Sequence, residues 1–313
     1  MEVSHPHYDR LIAAARQAGP VTVAVAHPCD HNALEGALDA ANLGLIQPIL
    51  VGPQERIRQA ADAARLDISP FPLIDTEHSH ASAARAVQLV HEGHASALMK
   101  GSLHTDELMG AVVAAATGLR TSRRLSHCFV MDIPGRAEPL IITDAAVNIT
   151  PALSDKVDIV QNAIDLAHVL RFDPVKVAIL AAVETVSDKM PSTIDAAALC
   201  KMADRGQITG ALLDGPLAMD NAIDPQAAAI KHLVSPVAGQ ANVLVAPDLE
   251  AGNMLAKSLT FMAGASAAGI VLGARVPVVL TSRADTVQAR LASCAVAVLV
   301  AHSKLSGARI LGG

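Results

Sequence analysis

The sequence predicts an α/β fold with mainly parallel sheets, and three observations support this prediction. Short runs rich in Val, Ile and Leu recur along the chain, and most of them end in a polar or glycine-containing cluster. Ala-rich amphipathic segments lie between these runs. Of the 313 residues, 51% are hydrophobic and 17% are charged, which is enough apolar material for a large core. Strands that alternate with helices favour right-handed βαβ units.

Strands are predicted at the apolar runs, because their length and composition are typical of strands buried on both faces. In chain order, the runs with the clusters that end them are VTVAVAHPCD, PILVG, ALMKGS, PLIITD, VAILAAVET, ALLDGP, VLVAPD and PVVLTSR. The sequence Asp214-Gly215-Pro216 predicts a turn at the end of the sixth run. Ligands of such folds bind beyond the carboxyl ends of the strands, so the polar clusters mark the candidate site.

A helix is predicted most clearly from Asp155 to Leu170, where apolar residues at helical spacing form one wide stripe. We expect Ser154 to cap its first turn, and Asp155 suits the positive end of the helix dipole. The segment that contains His78 and His80 predicts a polar helix start rather than a metal site.

Composition and charge exclude several classes of protein. The net charge of −6 and the aromatic content of 2% argue against a nucleic-acid partner. The apolar runs are far shorter than the roughly 20 residues of a membrane-spanning helix. The N-terminal sequence MEVSHPHYDR has no basic start and no following apolar segment, so we expect no export signal and a cytoplasmic protein. Four scattered cysteines without a CxxC pattern are expected to be reduced thiols: Cys29, Cys128, Cys200 and Cys294.

The motifs of several common sites are absent from the sequence. There is no GxGxxG or P-loop pattern, no GxSxG elbow and no HExxH metal motif. We therefore expect no resident cofactor and no metal.

Cationic residues that suit an anion do occur at the predicted strand ends. Lys100 closes a strand and is followed by Gly101 and Ser102, whose backbone N–H groups we expect to open the next helix as an oxyanion site. The segment GLRTSRRLSH adds three arginines, of which Arg124 comes last, and arginine matches phosphate oxygens bidentately. For any one of these arginines, an ordinary solvated surface position stays an open alternative.

The densest polar cluster is Ser282-Arg283-Ala284-Asp285, at the end of the run PVVLT. A carboxylate that removes a proton from a nucleophile, an arginine that holds a phosphoryl leaving group and a serine that stabilises developing charge form a set suited to acyl transfer. On spacing alone, a solvated loop in which the serine caps a helix is the alternative.

Blocks in the last two thirds of the chain resemble the phosphate acetyl/butyryltransferase family. The blocks are LMKGSLHTDELMGAVV, GLRTSRRLSHCFVMDIPG, LIITDAAVNITP, AAVETVSDKMPSTIDAAAL, DGPLAMDNAID, SPVAGQANVLVAPDLEAGNMLAKSLTF and VVLTSRADT. The resemblance runs from about Leu98 to the C-terminus, and the residues before it match more loosely.

The resemblance implies two α/β domains with a cleft between them, as in isocitrate and isopropylmalate dehydrogenases. The first would comprise residues 1–143 and 267–313, and the second residues 144–266. The family reversibly moves a short acyl group, acetyl or butyryl, between coenzyme A and inorganic phosphate in a ternary complex, without a metal or a covalent acyl-enzyme. The resemblance therefore implies coenzyme A as a substrate, acyl phosphate and phosphate as the others, and a homodimer or higher homo-oligomer with no membrane partner.

The same resemblance assigns the catalytic residues. Ser282 and Arg283 match the family's Ser-Arg pair, and Asp285 matches the SRAD form typical of butyryl-type members. Some acetyl-type members place the proposed thiol base further on, where this chain has no carboxylate between Val287 and Arg290. An Arg-Pro common in acetyl-type members is also missing near Leu108. Both departures favour the butyryl-type branch without fixing the acyl length.

Further substrate-binding candidates are polar residues in the matching blocks. Together with Lys100, Gly101 and Arg124, they are Thr105, Asn148, Asp214, Asn221, Asn253 and Lys257. Two other functions stay open at this stage. One is a metal-requiring NAD-dependent dehydrogenase of the related fold, for which fold kinship alone is weak support. The other is a non-catalytic module that binds coenzyme A.

Overall fold

The computed structural model describes residues 5–281 and 285–305, so Ser282 and Arg283 lie outside the described residues. Its helices are α1 (Pro6–Ala18), α2 (His31–Asn42), α3 (Gln54–Ala64), α4 (Ser79–His91), α5 (Thr105–Val113), α6 (Leu153–Val169), α7 (Pro191–Asp204), α8 (Met219–Ile223), α9 (Pro225–Ile230), α10 (Leu249–Met262) and α11 (Val287–Leu305). Its strands are β1 (Val21–Ala26), β2 (Ile46–Val51), β3 (Leu73–Ile74), β4 (Ala97–Lys100), β5 (Ser126–Asp132), β6 (Leu140–Thr143), β7 (Lys176–Leu180), β8 (Leu212–Leu217), β9 (Val243–Val245), β10 (Ser266–Leu272) and β11 (Val278–Val279). The predicted α/β class is confirmed.

The chain forms two compact units. The first unit comprises Tyr8–Arg123 and residues 268–305, and the second comprises residues 5–7 and Arg124–Ala267. Residues 124–143, which the sequence analysis assigns to the first domain, lie in the second unit, where β6 pairs in parallel with β9. The assignment of domains at residues 143 and 266 stays a prediction.

The sheet of the first unit has the strand order β3-β2-β1-β4-β11-β10. The first five strands pair in parallel, and β10 pairs antiparallel with β11. Residues 23–26 of β1 are all buried, as expected of a central strand with helices on both faces. The register aligns Val51, Ala26 and Lys100 at the carboxyl ends of β2, β1 and β4. The segments that follow these three strands therefore meet at one edge of the sheet.

The sheet of the second unit has the order β5-β6-β9-β7-β8, with parallel pairing except between β5 and β6. The turn predicted at Asp214-Gly215-Pro216 is wrong, because β8 continues through these residues to Leu217. Proline cannot donate to a neighbouring strand, and β8 lies at the end of this strand order, where that loss is tolerated. The register between β7 and β8 shifts between Ala178 and Leu180, beside this proline.

Helix α6 confirms the helix predicted from residue 155 to 170, but it begins earlier, at Leu153. The predicted cap at Ser154 is wrong, because that residue already lies inside the helix. The N-cap position is Ala152, whose N–H donates to the carboxylate of Asp155 over 3.0 Å. A side chain three residues into the helix thus satisfies the terminal N–H.

Both units have apolar cores, and helix α11 is buried along most of its length. In the second unit, Met131, Leu140, Ile142, Leu217 and Leu244 belong to one buried cluster between the sheet and its helices. Within the two described ranges, no helix combines the length and the apolar character needed to cross a membrane.

Candidate active site

Lys100 and Gly101 lie at the carboxyl edge of the first unit. Lys100 is the last residue of β4 and is buried, with 9% of its surface exposed. Its Nζ donates to the carbonyl oxygen of Gly101 over 3.2 Å. The predicted placement of a cation at the end of this strand is therefore confirmed.

The backbone donors predicted beside Lys100 are engaged elsewhere. The N–H of Gly101 donates to the carbonyl of Ala26, and the N–H of Ser102 donates to the carbonyl of His27, each over 2.9 Å. The expectation that these two amides form an oxyanion site is wrong for that reason. Gly101 has a steric role instead, since a Cβ there would collide with the backbone of Ala26 and His27.

Thr105 is the first residue of α5 and is exposed. Near it, Glu107 joins the starts of two helices, because its carboxylate accepts from the N–H of His104 over 2.7 Å and from the hydroxyl of Ser79. Its Oε1 also lies 3.1 Å from Nδ1 of His80. The Ser79 hydroxyl and then the His104 N–H hold the pKa of Glu107 below its usual value. Glu107 thereby fixes the segment that carries Thr105, a contact that the sequence analysis did not identify.

The predicted catalytic cluster is only partly described. Asp285 is half-buried and lies two residues before the first residue of α11. Ser282 and Arg283 lie outside the described residues. Thr281 and Asp285, which bracket them in the chain, both belong to the first unit together with Lys100.

In the second unit, Arg124 contacts three other residues through its side chain and its backbone N–H. Its Nε donates to Oδ1 of Asn148 over 2.7 Å, and its Nη1 lies 3.1 Å from a carboxylate oxygen of Asp155. Its backbone N–H donates to Asp158 over 2.8 Å. The guanidinium is nevertheless half-exposed, with 50% of the side chain accessible. Arg124 is therefore an oriented cation at the surface of this unit.

Asn148 is buried and depends on Asp144, the residue that follows β6. The amide of Asn148 donates to the Asp144 carboxylate and to the carbonyl of Leu125. The same carboxylate accepts from the backbone N–H groups of Ala146, Val147 and Asn148. Asp144 thus organises residues 144–148 as a compact turn, and its position at the end of a strand is the signal that would have found it.

His127 is fully buried, and its ring is close enough to Asp144 for the carboxylate to act on its pKa. Its Nδ1 has no hydrogen-bond partner among the described residues, and its ring packs edge-on against Phe129 at 4.4 Å. Burial lowers the pKa of His127 to about 4, although the nearby Asp144 carboxylate opposes that change. The imidazole is therefore neutral at physiological pH.

Helix α10 packs against the turn of residues 144–148. The side-chain amide of Asn253 donates to the carbonyl of Ala145 over 3.0 Å. Gly252 permits this approach, because a Cβ there would collide with the carbonyl oxygen of Asp144. Asn148, Arg124 and Asn253 thus all contact the segment of residues 144–148 or each other, and their role in substrate binding stays a prediction.

The other three candidates of the second unit have separate surroundings. Asp214 accepts from the N–H of Gly215 within β8, and Lys257 is exposed on α10. Asn221 is fully buried and donates to Glu184 over 3.2 Å, while Lys231 lies 3.1 Å from the same carboxylate. Their substrate contacts stay a prediction.

Neither metal binding nor cysteine chemistry is favoured by these surroundings. Across residues 5–281 and 285–305, no group of three or more His, Cys, Asp or Glu side chains is arranged to hold a metal ion. All four cysteines are free thiols. Burial raises the pKa of Cys29 to about 11 and those of Cys128, Cys200 and Cys294 to about 12. Thiols with such pKa values are poor nucleophiles at neutral pH.

Comparison with known proteins decides the family. The family model described as phosphate acetyl/butaryl transferase matches residues 79–298. The chain belongs to this phosphate acetyl/butyryltransferase family. It is 65% identical over 294 residues to a phosphate acetyltransferase from Rhizobium meliloti, which covers 94% of this chain and 93% of the relative. It is 40% identical to a phosphate butyryltransferase from Clostridium beijerinckii, over 94% of this chain and 98% of the relative. The enzyme class is therefore acyltransferase, as predicted.

Solved structures of phosphate acyltransferases have the same fold. A branched-chain phosphotransacylase from Enterococcus faecalis matches with a TM-score of 0.79 and 30% identity, over 90% of this chain and 99% of that one. A 4-hydroxythreonine-4-phosphate dehydrogenase from Klebsiella pneumoniae matches with a TM-score of 0.57 and 13% identity, over 90% and 99%. At that identity the dehydrogenase likeness concerns the fold alone, and it lends the predicted dehydrogenase alternative no further support.

Proposed function

We propose that this enzyme transfers a short acyl group reversibly between coenzyme A and inorganic phosphate, within a ternary complex of the two substrates and the protein. Membership of the phosphate acetyl/butyryltransferase family over residues 79–298 carries the proposal. The relatives that span nearly the whole chain are named for this transfer with acetyl or butyryl groups.

In the proposed step, the Asp285 carboxylate accepts the proton of the coenzyme A thiol, and the thiolate attacks the carbonyl carbon of the acyl phosphate. The tetrahedral adduct then collapses, the carbon–oxygen bond to phosphate breaks, and thioester and inorganic phosphate leave. Arg283 neutralises the phosphate and Ser282 hydrogen-bonds the adduct oxygen, roles that rest on the sequence motif.

Direct transfer is consistent with the described side chains. The raised pKa values of the four cysteines disfavour a thiolate that would carry the acyl group on the enzyme. Lys100 in the first unit and Arg124 in the second are oriented cations suited to anionic substrates. Holding both substrates in reactive geometry would supply much of the rate enhancement.

We propose acetyl as the preferred group. The relative at 65% identity is named phosphate acetyltransferase, whereas the relative named butyryltransferase is 40% identical. This runs against the butyryl-type features of the SRAD motif. We further propose that coenzyme A is a substrate and no cofactor is resident, and that the enzyme acts as a homodimer in the cytoplasm, by analogy with the family.

A panel of acyl phosphates tests the reaction and the acyl preference together. The enzyme is supplied with coenzyme A and with acetyl, propionyl or butyryl phosphate, and thioester absorbance is followed. We expect thioester from each, fastest from acetyl phosphate. Saturable binding of coenzyme A without any thioester would contradict the proposal and favour the non-catalytic module, and equal or faster rates with butyryl phosphate would overturn the acyl preference.

A further inference from the structure

His27, at the carboxyl end of β1, has an unusual backbone. It is buried, with 4% of its surface exposed, and its φ of 57° lies in the left-handed region that residues other than glycine seldom adopt. Such residues persist where the surrounding structure holds them, and they cluster at functional sites. His27 precedes the part of the chain that the family model matches.

The backbone of His27 joins the ends of three neighbouring strands. Its N–H donates to the carbonyl of Val51, the last residue of β2, over 2.7 Å. Its carbonyl accepts from the N–H of Ser102 over 2.9 Å and from the Ser102 hydroxyl over 2.8 Å. The left-handed turn thus directs the His27 carbonyl to the segment that follows Lys100.

Hydrogen bonds determine which nitrogen of the His27 ring carries the proton. The Ser82 hydroxyl lies 3.0 Å from the carbonyl of His78, 2.8 Å from the hydroxyl of Thr76 and 3.0 Å from Nδ1 of His27, so it can donate to His78 and accept from Nδ1. Nε2 is then the unprotonated nitrogen, and it lies 3.5 Å from Nη1 of Arg56, which can only donate. Burial and then the charge of Arg56 lower the pKa of His27, in agreement with a neutral ring.

Arg56 therefore contacts a neutral ring, over 3.5 Å, while the carboxylates of Glu107 and Asp30 also act on His27. Arg56 lies in the first turn of α3, directly after β2, and its side chain is exposed. In the described part of the chain, no carboxylate lies within ion-pair distance of its guanidinium, and the contact with His27 is its hydrogen bond. Lys100, at the end of β4, lies on the other side of β1. Two cations thus flank His27 at one edge of the sheet.

We infer that Arg56 and Lys100, with His27 as the positioning residue between them, form an anion site for a phosphate group of a substrate. The inference rests on the proposed function and extends it to the N-terminal segment. Two sources supply this chemistry, namely the phosphate that is transferred and the phosphates of coenzyme A. An arginine that is fixed through one nitrogen presents its remaining N–H groups in a fork that matches phosphate oxygens.

Binding measurements without turnover test the site. Inorganic phosphate, coenzyme A and dephospho-coenzyme A are titrated calorimetrically into the full-length wild type and into Arg56→Gln, with Arg58→Gln as a control that removes the same charge from the same helix. We expect Arg56→Gln to weaken one phosphate-bearing probe by roughly tenfold to a hundredfold, the size of a lost charge-assisted hydrogen bond, and Arg58→Gln to change little.

The pattern of losses identifies the source of the phosphate. A loss with inorganic phosphate assigns the transferred group. A loss with coenzyme A but not with dephospho-coenzyme A assigns the 3′-phosphate, and an equal loss with both assigns the pyrophosphate. Equal affinities of Arg56→Gln and Arg58→Gln for all three probes overturn the inference. A wild type that binds these probes but forms no thioester would contradict the proposed function and leave the anion site standing.

His27→Asn tests the positioning role, because asparagine tolerates a positive φ but cannot reproduce both ring contacts. We expect the KM for the substrate whose phosphate is bound to rise as it does in Arg56→Gln, with kcat within about twofold, while Arg56→Lys restores part of the affinity through charge alone. A fall in kcat with unchanged KM would overturn the positioning role. Should His27→Asn fail to fold, Arg56→Gln and Arg56→Lys decide the site.

Discussion

The Nε of Arg124 donates a hydrogen bond of 2.7 Å to Oδ1 of Asn148, so a residue that precedes β5 is fixed by a residue that follows β6. Asn148 is in turn held by the Asp144 carboxylate and by the carbonyl of Leu125. The orientation of an exposed guanidinium is thus determined by a buried amide. Because the second unit contains both residues, this relationship can be tested within that unit.

Replacing Asn148 with alanine should disturb both stability and substrate binding. The Asp144 carboxylate and the Leu125 carbonyl would lose a donor, and we expect the free energy of unfolding to fall by about 1–3 kcal/mol. In a double-mutant cycle with Arg124→Ala, the two changes should be coupled by about 0.5–3 kcal/mol in kcat/KM for acyl phosphate. Asn42→Ala, at an exposed helix end, is the control for stability. Strictly additive effects on kcat/KM would show that Asn148 does not act through Arg124.

Two glycines near the end of β4 should respond in opposite ways to the same added methyl group. A Cβ at Gly101 would collide with the carbonyl oxygens of Ala26 and His27, whereas a Cβ at Gly110, inside α5, meets nothing within 4 Å. We expect Gly101→Ala to lower the free energy of unfolding by about 1–3 kcal/mol, since backbone must shift. Gly110→Ala should raise it by about 0.5–1 kcal/mol, the helix preference of alanine over glycine.

Urea unfolding of both variants measures these differences, and turnover shows their consequence for Lys100. Gly101→Ala should also lower kcat/KM, because Lys100 precedes the displaced residue. A Gly101→Ala variant with wild-type stability would mean that the approach of β1 to β4 is looser than the structure indicates.

Eight of the eleven strands in the described residues were predictable from the sequence, because each is a short aliphatic run that ends in polar residues, a pattern that reflects burial on both faces. Strands β3, β5 and β10 were not among the predicted runs. The wrong turn at Asp214-Gly215-Pro216 has a different cause. Local sequence favours a turn there, but whether proline is tolerated depends on β8 lying at the end of the strand order, which local sequence does not reveal.

The candidate site was predictable only where a side chain's role follows from its place at a strand end. Lys100 fits that case. The hydrogen bonds of the Gly101 and Ser102 N–H groups could not be predicted in this way, because their acceptors are the carbonyls of Ala26 and His27, some 75 residues earlier in the chain. The positive φ of His27 likewise depends on contacts with β2 and β4. Long-range partners of this kind are not encoded in local composition or periodicity.

Arg283 should be the residue whose loss most reduces turnover, although it lies outside the described residues. In the proposed mechanism it neutralises the leaving phosphate, so Arg283→Ala should lower kcat by about 10²–10³-fold, the range for removal of one donor to developing charge. It should also raise the KM for acyl phosphate. Steady-state kinetics with varied acyl phosphate measure both effects. Arg275→Ala, at an exposed position in the same unit, controls for the loss of an arginine. Unchanged kinetics in Arg283→Ala would show that Arg283 does not neutralise the leaving phosphate.

His127 should make the protein less stable as the pH falls. Its pKa is about 4 in the folded protein, whereas an unfolded histidine titrates near 6.5. Between these values the unfolded chain binds more protons, so stability is present above the unfolded pKa and is lost as the pH decreases below it. From pH 7 to pH 5.5, this one group should lower the free energy of unfolding by about 1 kcal/mol.

Urea unfolding of wild type and His127→Gln at both pH values isolates this contribution. Other titrating groups act on both proteins alike, so the wild type should lose about 1 kcal/mol more than the variant over that interval. His232→Gln, at an exposed position in the same unit, should keep the wild-type pH dependence. If His127→Gln and the wild type lose the same stability over this pH interval, burial does not hold His127 neutral.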